Sequence, residues 1–351
     1  MKGVENYNAE AIRGSIIPKI SGRVLVFGDL HLSAIYSGKH KNYMLDCYKT
    51  MDIIVNKVRE EKADAVIFLG DLIGVNERKI SDHQFLMRVV MFFGMLYNLT
   101  KGNVYSVRGN HDMGDFTDFD LLVGLGYIQN PKSIDYYADP GKENLELRFH
   151  LVNYGEDKRK LDLIEEGNVA FVHDDYAIEG VTNWYKSKNE VEIRKLTNFN
   201  GVDLIVAGHI HIPSSEMLYT NLPNGESVGL FYLGSPSRTA ERFDDCWYFY
   251  FEYDSTNEMT DYGAKLMGIP NADEVFFDDS EFTDSDGKLY DEDGNEVSLE
   301  VSQALNDIVQ EVINSRLATG DIFAQVDRLP ASQESKDLAK RYLRLAIDGE
   351  I

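Results

Sequence analysis

Five runs of β-branched and aliphatic residues in this chain each stop at a short polar cluster. Arg23-Val24-Leu25-Val26-Phe27 runs into Gly28-Asp29-Leu30-His31, and Ala65-Val66-Ile67-Phe68-Leu69 into Gly70-Asp71. Val104-Tyr105-Ser106-Val107 precedes Gly109-Asn110-His111-Asp112, and Val169-Ala170-Phe171-Val172 precedes His173. The last, Val202-Asp203-Leu204-Ile205-Val206-Ala207, leads to Gly208-His209-Ile210-His211. A strand that is apolar along its whole length is covered on both faces, which demands an α/β sheet flanked by helices. Helical periodicity fits between the strands: Tyr43, Cys47, Met51, Ile54, Val55 and Val58 share a stripe over residues 41–60. Phe85, Leu86, Val89, Phe92, Phe93 and Leu96 share another. In such sheets functional groups collect beyond the carboxyl ends of the strands, where all five clusters fall.

The side chains in those clusters are Asp, Asn and His, the donors that two neighbouring divalent cations require. Two cations about 3.5–4 Å apart clamp an in-line displacement at phosphorus. Asp29 with His31, and His209 with His211, stand two residues apart and so can point the same way at a strand end. Taken singly, each piece has a plainer reading: Asp71 as a turn residue, His173 as a satisfied core histidine. Five in this order after five buried strands define a two-metal phosphoester-cleaving site. Carboxylate with imidazole makes Mn²⁺ the expected ion, with Fe²⁺, Zn²⁺ and Mg²⁺ as the other candidates.

The pattern Asp-x-His, Gly-Asp, Gly-Asn-His-Asp, His and Gly-His-x-His resembles that of the calcineurin-like metallophosphoesterase superfamily across residues 23–240. The resemblance implies a metallophosphoesterase-type β-sandwich flanked by helices. It also implies that Asp29, His31 and His211 hold one metal and Asn110, His173 and His209 the other, with Asp71 bridging. His111 would then protonate the leaving alkoxide, and Asp112 would orient its ring. Within the superfamily, Tyr232-Leu233-Gly234-Ser235-Pro236-Ser237-Arg238-Thr239 and Asp29-Leu30-His31-Leu32 resemble the SbcD-type DNA end-processing nucleases. That branch implies DNA as substrate, Arg238 and Arg242 as phosphate contacts and an SbcC-like ATPase as partner. One departure stands out: many members carry His or Asp three residues after the bridging aspartate, where this chain has Gly74. Asn76 and His83 lie near it in sequence.

The 351 residues carry a net charge of −24, and residues 255–300 hold 14 acidic side chains against two basic ones. A broad basic face for duplex nucleic acid is therefore not expected, which keeps open an alternative substrate: a nucleotide, cyclic nucleotide or phosphoprotein. A non-catalytic scaffold that merely retains metals for folding finds no support in the sequence, since neither a ligand nor the proton donor His111 is missing. The expected organisation is an extension at 1–22, a catalytic domain at 23–254, an acidic cap or linker at 255–300 and a helical segment at 301–351. The last two make a small α+β appendage. An Asp-Gly turn suggests a hairpin at 288–297, but its register does not fit a calcium loop. Leu305, Ile308, Val309, Val312 and Ile313 form one apolar stripe beyond it, and Leu338, Tyr342, Leu343 and Ile347 another. These stripes would either seat the ATPase or pack against the catalytic domain itself; a second copy of the chain is the other partner considered. Two cysteines, Cys47 and Cys246, and no signal-like apolar start suggest a reducing, cytoplasmic setting, and no run is long enough for a membrane span.

Overall fold

The computed structural model describes residues 17–34, 43–74, 80, 82–114, 117–137, 145–156, 159–174, 199–211, 213–214, 217–222, 224–237, 246–256 and 259–269. The hairpin and helical stripes expected beyond residue 270, and Asn76, Arg238 and Arg242, lie outside them.

Two sheets stack face to face. The second sheet contains β2 (Val24–Phe27), β3 (Ala65–Phe68), β4 (Val104–Ser106), β11 (Trp247–Asp254) and β12 (Met259–Leu266), in the order β12-β11-β2-β3-β4. The first contains β1 (Lys19–Ser21), β5 (Ser133–Tyr137), β6 (Leu147–Val152), β7 (Asn168–His173), β8 (Leu204–Gly208), β9 (Leu218–Asn221) and β10 (Ser227–Tyr232). Its order is β1-β5-β6-β7-β8-β10-β9. Strands β2, β3 and β4 are mutually parallel, as are β6, β7, β8 and β10.

Alternation along each strand divides the core into layers. Val24 and Val26 of β2 face the other sheet, where they join Ile67, Phe149, Phe171, Val206, Phe249 and Phe251. Leu25 and Phe27 point the opposite way, against the helices α1 (Tyr43–Glu60), α2 (His83–Leu99) and α3 (Asp118–Gly124). A third apolar layer, with Ala170, Val172, Ile205, Ala207, Val228 and Leu230, covers the far face of the first sheet. Both sheets are thus buried on two sides, as the continuous apolar runs require. Between them, Phe149 packs 5.1 Å from Phe171 and 5.0 Å from Phe251, ring centre to ring centre.

The predicted helices form on the predicted faces. Helix α2 starts where the Asp82 carboxylate accepts from the Phe85 amide at 2.9 Å. Helix α3 begins with a reciprocal Thr117/Asp120 capping box, a signal too short to have been read as a helix in advance. The catalytic sheets extend past both expected boundaries. Strand β1 lies inside the expected extension and pairs with β5, while β12 lies inside the expected acidic linker and pairs along its full length with β11. Among the described residues no helix is long and apolar enough to cross a membrane.

Candidate metal centre

The parallel strands β2, β3 and β4 end side by side, as do β7 and β8, and the polar clusters continue from these ends. The loops are tied to each other by backbone pairing: His31 N donates to Asp71 O at 2.8 Å and Leu32 N to Leu72 O at 2.9 Å. Across the sandwich, the His209 amide donates to Asp29 Oδ2 at 2.7 Å. Gly208 makes that approach feasible, since a Cβ there would come within 2.3 Å of Asp29 Oδ1.

Five non-glycine residues among those described have left-handed backbones. Lys62 and Lys101 follow the ends of α1 and α2, where chains commonly turn this way. The other three are His31 at φ 47°, Asp71 at 45° and His209 at 74°. Such conformations cost about 1–3 kcal/mol each and persist where the surroundings over-determine them. Here all three are residues expected as metal ligands.

Three overlapping sets of donor atoms lie within 4.8 Å of one another: Asp29, His31 and His211; Asp71, His173 and His209; and His31, Asp71 and His111. His31 Nε2 is 2.8 Å from His211 Nε2, and His211 Nε2 is 3.8 Å from Asp29 Oδ2. His173 Nε2 is 3.0 Å from Asn110 Oδ1 and 3.2 Å from both His209 Nδ1 and Asp71 Oδ2. That same Asp71 oxygen is 3.7 Å from His31 Nε2, so it faces both groups. All seven side chains expected as ligands converge.

This donor set suits divalent cations. Asp29 Oδ1 and His31 Nδ1 are buried and make no hydrogen bond among the described residues, which is costly unless something else satisfies them. His173 Nδ1 donates to Leu69 O at 2.7 Å, which turns Nε2 toward the carboxylate, the orientation a metal-ligating imidazole needs. Burial, and then His211, hold His31 well below the ordinary histidine range, and burial also lowers His211. Burial would raise Asp71, but the imidazoles of His173, His31 and His111 outweigh it and keep it ionised. Burial likewise opposes charge on His173, yet Asp71 and Asp29 raise its pKa well above the usual value. Between these carboxylates a positive charge is favoured, and a cation meets that demand as a proton does.

His111 stands at the rim with its side chain 30% exposed, Nε2 4.0 Å from Asp71 Oδ2 and its ring edge-on to His31. Asp112 was expected to orient that ring. Its carboxylate instead accepts from the amides of Leu72 at 3.1 Å and Gly109 at 3.0 Å, joining the loops after β3 and β4. Burial, with the nearby Asp71 charge, pushes it up to about 7. Gly74 has a steric reason: a Cβ there would lie 2.7 Å from Ser33 Cβ, so Ser33 fills the space of the missing side chain. His83 is exposed at the start of α2. Sequence reasoning missed Tyr154, whose ring lies 5.7 Å from that of His209 and 6.3 Å from that of His173. It follows β6 in no recognisable motif, and only the sheet order brings it near.

A sandwich of two sheets with carboxylates and imidazoles gathered at its strand ends defines a metal-dependent phosphoesterase. The calcineurin-like phosphoesterase family matches residues 22–213, more than half of the chain, and the chain belongs to that family. No curated protein matches it in sequence. Among solved structures it is similar to a 5′-nucleotidase precursor from Thermus thermophilus, at 14% identity and TM-score 0.36 over 72% of this chain. It spans 56% of that protein's length. An NAD nucleotidase from Haemophilus influenzae is similar at 12% identity and TM-score 0.40, covering 92% of this chain and 67% of that one. A dimetal phosphatase from Danio rerio is similar at 12% and 0.38, over 70% and 96%.

Proposed function

We propose that this phosphoesterase cleaves phosphodiesters in DNA in the manner of the SbcD-type nucleases, with Mn²⁺ as its metal. The observation that carries the phosphoester chemistry is the Asp71 carboxylate facing two separate groups of imidazoles. The Gly-Ser-Pro segment at 234–236 and Asp29-Leu30-His31-Leu32 support the nuclease branch.

Asp29, His31 and His211 would hold one cation and Asn110, His173 and His209 the other, with Asp71 shared. When bound, two such ions supply Lewis-acid stabilisation to a phosphoryl group under in-line attack. The protein does the rest. The backbone turns at His31, Asp71 and His209 fix the donors before substrate arrives, so little reorganisation remains for the reaction. His111, at the rim and donating no hydrogen bond to Asp112 among the described residues, is placed to give its ring proton to the departing oxygen. His111→Ala should bind both cations as before and lose about 10²–10⁴-fold in turnover. Unchanged turnover would remove it from that role.

A second reading keeps the chemistry and changes the substrate to a nucleotide, cyclic nucleotide or phosphoprotein. The packing of Ser33 against Gly74 favours it, because the residue that many of these nucleases carry there has no room. Incubating the protein and Mn²⁺ with linear DNA, a nucleotide panel and a phosphoprotein separates the two. DNA cleavage is the expected result. Turnover of the others without DNA cleavage would transfer the assignment to the second reading. The SbcC-like ATPase remains a proposal of the branch resemblance alone, tested by co-purification with the chain truncated after residue 300.

A further inference from the structure

Residues 235–237, within the Tyr232–Thr239 stretch that carries the Gly-Ser-Pro sequence, are left without a task by the chemistry above. They leave β10 through Leu233, whose amide donates to Ala207 O at 3.1 Å, and then cross the loop after β2. The Ser235 hydroxyl lies 2.8 Å from the carbonyls of both Asp29 and Ser237, bridging the two loops, and the buried Ser237 hydroxyl donates to the carbonyl of Leu30. The Ser235 amide donates to His211 O at 3.4 Å. The crossing is tight: a Cβ on Gly28 would come within 1.9 Å of the carbonyl oxygen of Gly234.

These contacts share a destination. Asp29 and His211 are held by their own carbonyls, and the left-handed His31 by the carbonyl before it. The His31 carbonyl itself accepts from the Tyr43 hydroxyl at 2.8 Å, so that strained residue is pinned from both sides. Among the described residues, no hydrogen bond of residues 235–237 reaches Asp71, Asn110, His173 or His209.

We infer that Ser235 and Ser237 form a strap that sets the affinity of one cation position, that of Asp29, His31 and His211, independently of the other. This rests on the proposed assignment of those three residues to one metal. The strap residues are positioning residues and touch no cation themselves. Outer groups that orient metal ligands are worth about 10–100-fold in affinity, and an indirect hold on the backbone belongs at the lower end.

The test is titration of the full-length, metal-free chain with Mn²⁺, reading free ion by electron paramagnetic resonance. Wild type should bind two ions in resolvable steps. Ser235→Ala, at a half-buried position, should weaken one step about 10-fold and leave the other unchanged, and Ser235→Thr, which keeps the hydroxyl, should restore it. Ser237→Ala should weaken the same step; if that buried change prevents folding, the two Ser235 variants decide. Two unaltered steps in Ser235→Ala would overturn the strap, as would an equal loss in both, the mark of a merely structural element. Fewer than two ions on the wild type would overturn the metal assignment itself and the strap with it.

Discussion

At the scale of single residues, the site depends as much on atoms that are missing as on those present. Gly208 lets the Asp29 carboxylate reach the His209 amide, and a methyl group there would meet Asp29 Oδ1 at 2.3 Å and the Leu69 carbonyl oxygen at 2.7 Å. Gly208→Ala should therefore lose tightly bound metal while keeping its fold, checked by metal content after gel filtration alongside circular dichroism. Full metal content would show that the loops can separate without cost. The two cysteines illustrate the opposite case. Cys47 and Cys246 are buried, and burial pushes the Cys47 thiol up to about 12, so it stays a protonated, unreactive group. Thiol reagents should label both only after denaturation; rapid labelling of the native protein would contradict their burial.

At the scale of elements, short local signals and long-range packing share the work. Helix α2 pairs an apolar stripe with a side-chain cap at Asp82, and removing the cap should cost about 1 kcal/mol. Asp82→Ala should lower the denaturant midpoint yet leave metal binding unchanged, because α2 packs on the face of the second sheet away from the first. A change in metal binding would mean that α2 reaches the site. The stripes of α1 and α2 and the five apolar strands were legible in the sequence, since period and run length follow directly from which faces are buried. Strands β1, β5, β6, β9 and β12 were not. Polar residues interrupt these strands, as Ser133 and Asp135 do in the largely buried β5, and β12 is exposed or intermediate along its length, so no continuous apolar run announces them. Tyr154 was hidden for the same kind of reason, being brought near His209 by strand order and not by sequence spacing.

At the scale of the whole molecule, the candidate metal centre lies at the strand ends of the two sheets, with candidate ligands drawn from both. Bound cations should then stabilise the sandwich as a unit. At a hundredfold excess over its dissociation constant, each ion adds about 2.7 kcal/mol to the folded state. Melting temperature should rise with Mn²⁺ and fall back on chelation, and no shift would argue against cations joining the sheets. The sequence alone determined the candidate chemistry: which side chains could serve as donors, in what order, and that each follows a buried strand. Those facts are local, set by side-chain type and by the two-residue period of a strand. Tertiary structure alone decided that Asp112 staples two loops instead of steering His111, and that Ser33 occupies the space beside Gly74. It also decided that the serines at 235 and 237 hold the Asp29 loop. These depend on which segments approach within a few ångströms across the fold, and such distances arise only when the two sheets close on one another.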